Sequence, residues 1–131
     1  MRRKMTTELE KLVAKEGVAI EAKSGSAKPA GSMANMVAWD VTMKYQGRRM
    51  STPFFTTPGY APIAADVVYS LCEECKSLEG ATTFDAWAAK HKMNPDSRSA
   101  YAMWDGIQKS NPRLKKFLGR KFKEFASAKH K

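Results

Sequence analysis

The strongest pattern in the chain is an alternation. From Val37 to Tyr45, Val37, Trp39, Val41, Met43 and Tyr45 fall on one face and Ala38, Asp40, Thr42 and Lys44 on the other. A period of two is that of a half-buried strand. Gln46-Gly47 supplies a two-residue turn, so Arg48 to Thr56 is predicted to return as a second strand. On that return Met50, Thr52 and Phe54 share a face, with Arg49 and Ser51 opposite. Pro53 has no N–H to donate to a ladder, which places this strand at a sheet edge.

Before the hairpin, Thr6 to Glu16 predicts a short helix, with Thr7 as N-cap and Leu9, Leu12 and Val13 on one side. Gly17 ends it, and Val18, Ile20 and Ala22 alternate as a short strand would. Lys23 to Asn35 is rich in Ser, Gly, Ala and Pro and reads as a flexible loop.

After the hairpin the period changes. Pro62 occupies a favoured first helical position, and Ile63, Val67, Leu71, Cys75 and Leu78 recur at spacings of three and four up to Gly80. Thr82 or Thr83 caps a shorter helix, Phe84 to His91, with Phe84, Trp87 and Ala88 inward. Asn94-Pro95-Asp96 restarts the chain for a helix from Ser97 to Lys109, presenting Ala100, Tyr101, Trp104 and Ile107. Asn111 then caps, and Pro112 opens, a last helix running to about Ala128. Sheet first and helices afterwards predicts an α+β fold: a small antiparallel β-sheet of two to three strands covered by three to four helices. The reading is a single domain over residues 1–131, with 1–6 and about 24–35 flexible.

Charge sharpens this picture. The chain has 23 Lys and Arg against 13 Asp and Glu, a net charge of +10. The excess is not spread evenly. Residues 62–110 carry 5 basic and 7 acidic side chains, whereas residues 111–131 carry 8 basic and 1 acidic. Segregated charge marks a binding surface better than diffuse charge does. No apolar run approaches a membrane span, and no apolar segment follows the basic start Met1 to Met5, so a cytoplasmic protein without a membrane partner is expected.

Two basic clusters are candidates for contact with phosphate or an acidic surface. In the last helix, Leu114, Phe117, Leu118, Phe122 and Phe125 form an apolar stripe, while Arg113, Lys116, Arg120 and Lys123 gather opposite it. A helix packed on a core with a solvated polar face shows the same stripe. Here the polar face is nearly all positive, with only Glu124 to offset it, whereas solvated faces usually mix signs. A helix lying on a membrane surface fits less well, because the rings are needed for the core. Arg48 and Arg49 at the hairpin, with Lys44 just before the turn, form the second cluster. Edge strands also carry such charges simply to discourage pairing.

Rival chemistries are poorly supplied. Cys72-Glu73-Glu74-Cys75 is a CxxC, but only His91 and His130 could add soft ligands, and the pair lies in mid-helix where both thiols read as packing residues. No Ser, Cys or carboxylate is recognisably paired with either His, and no glycine-rich phosphate loop is present. No catalytic residue, cofactor or metal is expected. Gly119, costly inside a helix, reads as a packing contact. Only Tyr45 and Tyr60 could stack on single-stranded bases.

Short motifs from Trp39-Asp40-Val41 through Arg48-Arg49-Met50-Ser51-Thr52 to Leu114-x-x-Phe117-Leu118-Gly119 resemble those of small accessory proteins encoded by phages and prophages. The likeness is carried by Trp39-Asp40-Val41, Arg48-Arg49-Met50-Ser51-Thr52 with Phe54 and Gly59, and Asp66-Val67 with Leu71. It continues through Phe84-x-x-Trp87-Ala88, Asp96-Ser97-Arg98 and Leu114-x-x-Phe117-Leu118-Gly119. The resemblance implies a protein without enzymatic activity that acts on host machinery in the bacterial cytoplasm, a guild whose best-known members are anti-CRISPR proteins. Many of those are acidic DNA mimics, a mode that a +10 chain does not fit. The expected partner is therefore nucleic acid or a host nucleoprotein complex, for example a CRISPR effector. The residues expected to bind it are Lys44, Arg48, Arg49, Arg113, Lys116, Arg120 and Lys123. A general sequence-nonspecific DNA- or RNA-binding protein is the alternative, and a small metal-dependent nuclease a third.

Overall fold

A computed structural model describes residues 7–25, 35–81 and 83–130. The predicted flexible segment at 1–6 and all but the ends of the predicted loop lie outside these residues. The order of elements is α1 (Glu8–Glu16), β1 (Ala19–Ser24), β2 (Val37–Tyr45), β3 (Arg48–Thr56), α2 (Ala64–Ser77), α3 (Phe84–Lys90), α4 (Arg98–Leu118) and α5 (Phe122–Ser127). A single 3₁₀ turn, Gly119–Lys121, joins α4 to α5. The fold is α+β. No helix among the described residues is long and apolar enough to cross a membrane.

The sheet is antiparallel with strand order β1-β2-β3. Both residues of the Gln46-Gly47 turn have positive φ, 49° and 77°, which matches the twist of a two-residue hairpin. The register sets Met43 opposite Met50 and Ile20, and Val41 opposite Thr52 and Ala22. Val41, Met43 and Met50 on that face meet the helices, with Ile20 half-buried beside them and Ala22 exposed. The other face carries Lys44 opposite Arg49 and Thr42 opposite Ser51, and at the open edge of the sheet Arg49 also borders a groove shared with α4. Pro53 does sit on an edge strand, paired only with Asp40.

The main core joins Leu9 and Val13 of α1 to Val41, Met43, Tyr45 and Met50 of the sheet. From the helical side come Val67, Val68 and Leu71 of α2, Leu114, Phe117 and Leu118 of α4, and Phe125 of α5. Each such side chain contributes roughly 1.5–3 kcal/mol when fully buried, enough to override local helix-breaking signals. A second, smaller cluster holds Ala81, Trp87, Ala88 and Ile107 between α3 and α4.

Caps follow the sequence closely. The Thr7 hydroxyl accepts from the Glu10 N–H, Thr83 from Ala86 and Ser97 from Ala100. Thr82 lies outside the described residues.

Four expectations are corrected. Ile63 is not on the buried stripe of α2: it is the N-cap residue with extended backbone, 47% exposed, so helical spacing does not carry it to the core. Tyr101 is 52% exposed and packs by its edge on Phe84. Most consequential, Asn111 and Pro112 do not divide two helices. Helix α4 runs through both, with Pro112 inside it. Interior proline costs about 3 kcal/mol, because it lacks the N–H and crowds the preceding turn. Burial of Ile107 on one side of it and Leu114, Phe117 and Leu118 on the other holds the helix straight through. The break falls instead at Gly119, whose φ of 57° and ψ of −133° are backbone values that glycine alone adopts easily. Conformation, rather than close packing, explains that glycine.

Candidate nucleic-acid interface

The break at Gly119 rearranges the predicted basic face. Arg113 and Lys116 stand on α4, Arg120 on the 3₁₀ turn and Lys123 on α5. A single helical wheel would have aligned all four, but the chain changes direction between the second and the third. The seven candidate cations therefore separate into groups.

One group converges. Arg48 and Arg49 at the start of β3 meet Arg113 and Lys116 of α4 across a shallow groove of about 340 Å³, floored by Met50 and Phe117. Two predicted clusters, 64 residues apart at their nearest members Arg49 and Arg113, thus join into one surface. No carboxylate lines the groove, and none of Arg49, Arg113 and Lys116 is ion-paired among the described residues. Concentrated positive charge of this kind is what an incoming anion would neutralise.

Arg48 has a different place in the groove from its neighbours. Strand alternation puts it on the helix-facing side with Met50, not with Arg49. Its Nε donates to the Phe117 carbonyl at 2.8 Å, and its Nη2 to Gln46 Oε1 at 3.3 Å. The guanidinium lies 5.5 Å from the centre of the Tyr45 ring. It satisfies one of the open carbonyls at the end of α4 and ties the hairpin to that helix. Arg48 is a half-buried positioning residue for the groove.

The remaining candidates lie elsewhere. Lys44 points to the outer sheet face, where its Nζ is 2.6 Å from Glu21 Oε1. That contact lowers the Glu21 carboxyl below its ordinary range, by hydrogen bonding first and charge second. Arg120 is exposed and lines no described groove. Lys123 lines a separate groove of about 530 Å³ with Lys76, Lys115, Glu79 and Asn111. The Asn111 Oδ1 there is buried with no hydrogen-bond partner among the described residues, so this residue caps nothing.

Tyr45 is not available for base stacking. It is buried against Phe117 and Phe125, and its hydroxyl donates to Glu16 at 2.8 Å. Burial, followed by that hydrogen bond, raises its pKa.

The two thiols of the CxxC lie in the main core. Burial pushes Cys72 up to about 12 and Cys75 up to about 11, far from thiolate at neutral pH. Among the described residues no three His, Cys, Asp or Glu side chains are grouped to hold a metal ion.

Sequence reasoning missed the anchoring role of Arg48 and left open whether the hairpin tip and the last helix form one surface. The first was legible in the alternation that groups Arg48 with Met50. The second has no local signal.

Compared with protein-family models, curated proteins and solved structures, the chain matches none. The reading of the groove rests on its own geometry.

Proposed function

We propose that this is a non-catalytic, phage-type accessory protein that binds the nucleic-acid backbone through the groove between β3 and α4, either on free nucleic acid or within a host nucleoprotein complex. The observation that carries this reading is the convergence of Arg48, Arg49, Arg113 and Lys116 on one groove without a carboxylate in its lining. Arg49, Arg113 and Lys116 contact phosphates, and Arg48 fixes the spacing of the two walls. The resemblance of the chain to phage accessory proteins supports the host nucleoprotein setting. Such contacts follow the backbone and carry no base readout, so binding depends on length and salt and little on sequence.

The test is fluorescence anisotropy of a labelled 20-base-pair duplex with the whole chain across a salt series. Three phosphate contacts predict a slope of log K against log salt of about −2.7. Changing Arg113 and Lys116 together to Glu should lower affinity by more than about tenfold and flatten that slope, with circular dichroism unchanged. Full affinity in a folded double variant would remove the groove from consideration. Stoichiometric recovery of one host protein after nuclease treatment of a lysate places the action on a nucleoprotein complex, and recovery of nucleic acid alone places it on free strands. Cleavage of the duplex by pure protein with a divalent metal would overturn the non-catalytic reading.

A further inference from the structure

A second and far larger groove lies at the opposite end of the same two elements. It measures about 1270 Å³ and is bounded by the end of β3, one face of α2, the end of α3 and the middle of α4. Along β3, Phe55 is six residues from Arg49, about 20 Å of strand. Along α4, Ile107 is nine residues from Lys116, about 13 Å of helix. The two grooves are therefore separate surfaces.

Its chemistry inverts that of the rest of the molecule. The α2 wall presents Asp66, Tyr69, Ser70, Glu73, Glu74 and Ser77, a continuous helical face at spacings of three and one. In a chain of net charge +10, no Lys or Arg among the described residues lines this groove. Its basic side chains among the described residues are His91 and His130, the latter with Nε2 2.8 Å from Asp66 Oδ1. Exposed apolar side chains also collect here. Tyr60, Ile63, Tyr69 and Met103 line it, four of the five large hydrophobic residues exposed among those described. Concentration of exposed apolar surface marks an interaction site.

We propose that this groove is a docking site for a cationic amphipathic helix of a protein partner, with the apolar side chains of that helix on Tyr69, Met103 and Ile107 and its Lys or Arg residues toward Asp66, Glu73 and Glu74. The dimensions fit. The α2 wall is 14 residues long, about 21 Å, and a helix of that length and about 10 Å across has a volume on the order of 1500 Å³. Small-molecule pockets run to roughly 300–1000 Å³. Helix-in-groove recognition needs an apolar floor with charge at the rim, and methionines such as Met93 and Met103 adapt to side chains of varied shape. Glu74 has no basic hydrogen-bond or ion-pair partner among the described residues, and burial raises it to about 7. A partner's cation would supply the missing countercharge. Among the described residues Glu73 holds only Lys76, at 3.4 Å and exposed, which an incoming Lys or Arg displaces readily.

The experiment uses the nuclease-treated whole chain and two fluorescein-labelled 14-residue peptides made only of Leu and Lys. One places Leu at helical spacing; the other has the same composition in strict alternation. The helical peptide should bind, and the alternating peptide should bind at least about tenfold more weakly. The double variant Tyr69→Ala with Glu73→Gln should weaken the helical peptide by about tenfold, since a tyrosine anchor and a rim charge are both lost. That variant should keep its circular dichroism and its duplex affinity, which separates failure of this site from failure of the basic groove. Equal affinity for the two peptides, unchanged binding by the double variant, or no binding at about 100 µM peptide would overturn the proposal. Dimerisation in sedimentation equilibrium that Tyr69→Ala abolishes would assign the groove to a second copy and overturn it equally.

Discussion

The Arg48 Nε and the carbonyl of Phe117 meet at 2.8 Å although 69 residues separate them in the chain. This one hydrogen bond ties the hairpin to the end of α4 where both border the basic groove. It also divides the labour between adjacent arginines, because Arg49 points to the other side of the strand.

Stability and binding should therefore separate at these two positions. Arg48→Ala removes a charge-assisted bond and a cation–π contact, and is expected to cost about 1.5–3 kcal/mol in urea unfolding. Arg49→Ala is expected to stay within about 0.5 kcal/mol of the parent while weakening duplex binding. Equal stability losses in the two variants would contradict the assignment.

The division of the basic residues into separate surfaces makes a second expectation. Lys116→Glu should weaken duplex binding more than Lys44→Glu or Lys123→Glu, although each changes the net charge by the same amount. Were the total charge alone responsible, the three variants would lose affinity equally in anisotropy titrations.

Pro112 and Gly119 offer opposite outcomes from similar substitutions. Pro112→Ala restores an N–H inside α4 and removes a steric clash, and is expected to stabilise by about 1–2 kcal/mol after the entropy gained by the unfolded chain is subtracted. Gly119→Ala forces a side chain onto a φ of 57° and ψ of −133°, and is expected to destabilise by about 1–3 kcal/mol. Thermal melts of both variants check the sign.

Glu74 makes stability depend on pH. Burial raises its carboxyl from 4.5 to about 7, so between these values the folded state holds more protons than the unfolded state. Its contribution is fully present below pH 4.5 and is lost as pH rises through about 7. Glu74→Gln should remove this part of the profile and gain about 2 kcal/mol relative to the parent at pH 8. Urea unfolding at pH 5 and pH 8 measures the difference; parallel profiles for parent and variant would contradict it.

The buried thiols should be inert. With Cys72 near 12 and Cys75 near 11, a disulfide reagent at pH 8 is expected to leave both unmodified in the folded protein and to label both in urea. Rapid labelling without denaturant would place them outside the core.

What the chain settles by itself is local. Alternation from Val37 to Tyr45 determined the hairpin, its inward face and, through Pro53, its edge position, because strand side chains must point to alternate sides. Thr7, and Thr83 as one of two adjacent candidates, marked helix starts, because a hydroxyl beside free N–H groups acts within three residues. Cys72 and Cys75 fell on a buried stripe for the same short-range reason. Tertiary packing decided the rest. Local signals at Asn111-Pro112 favoured a break, and only the burial of Ile107 with Leu114, Phe117 and Leu118 overrode them. Moving that break to Gly119 turned four cations on one predicted face into a pair facing the hairpin and two residues directed elsewhere. Whether two basic clusters far apart in sequence form one groove depends on which elements pack side by side, and no period within either cluster carries that information.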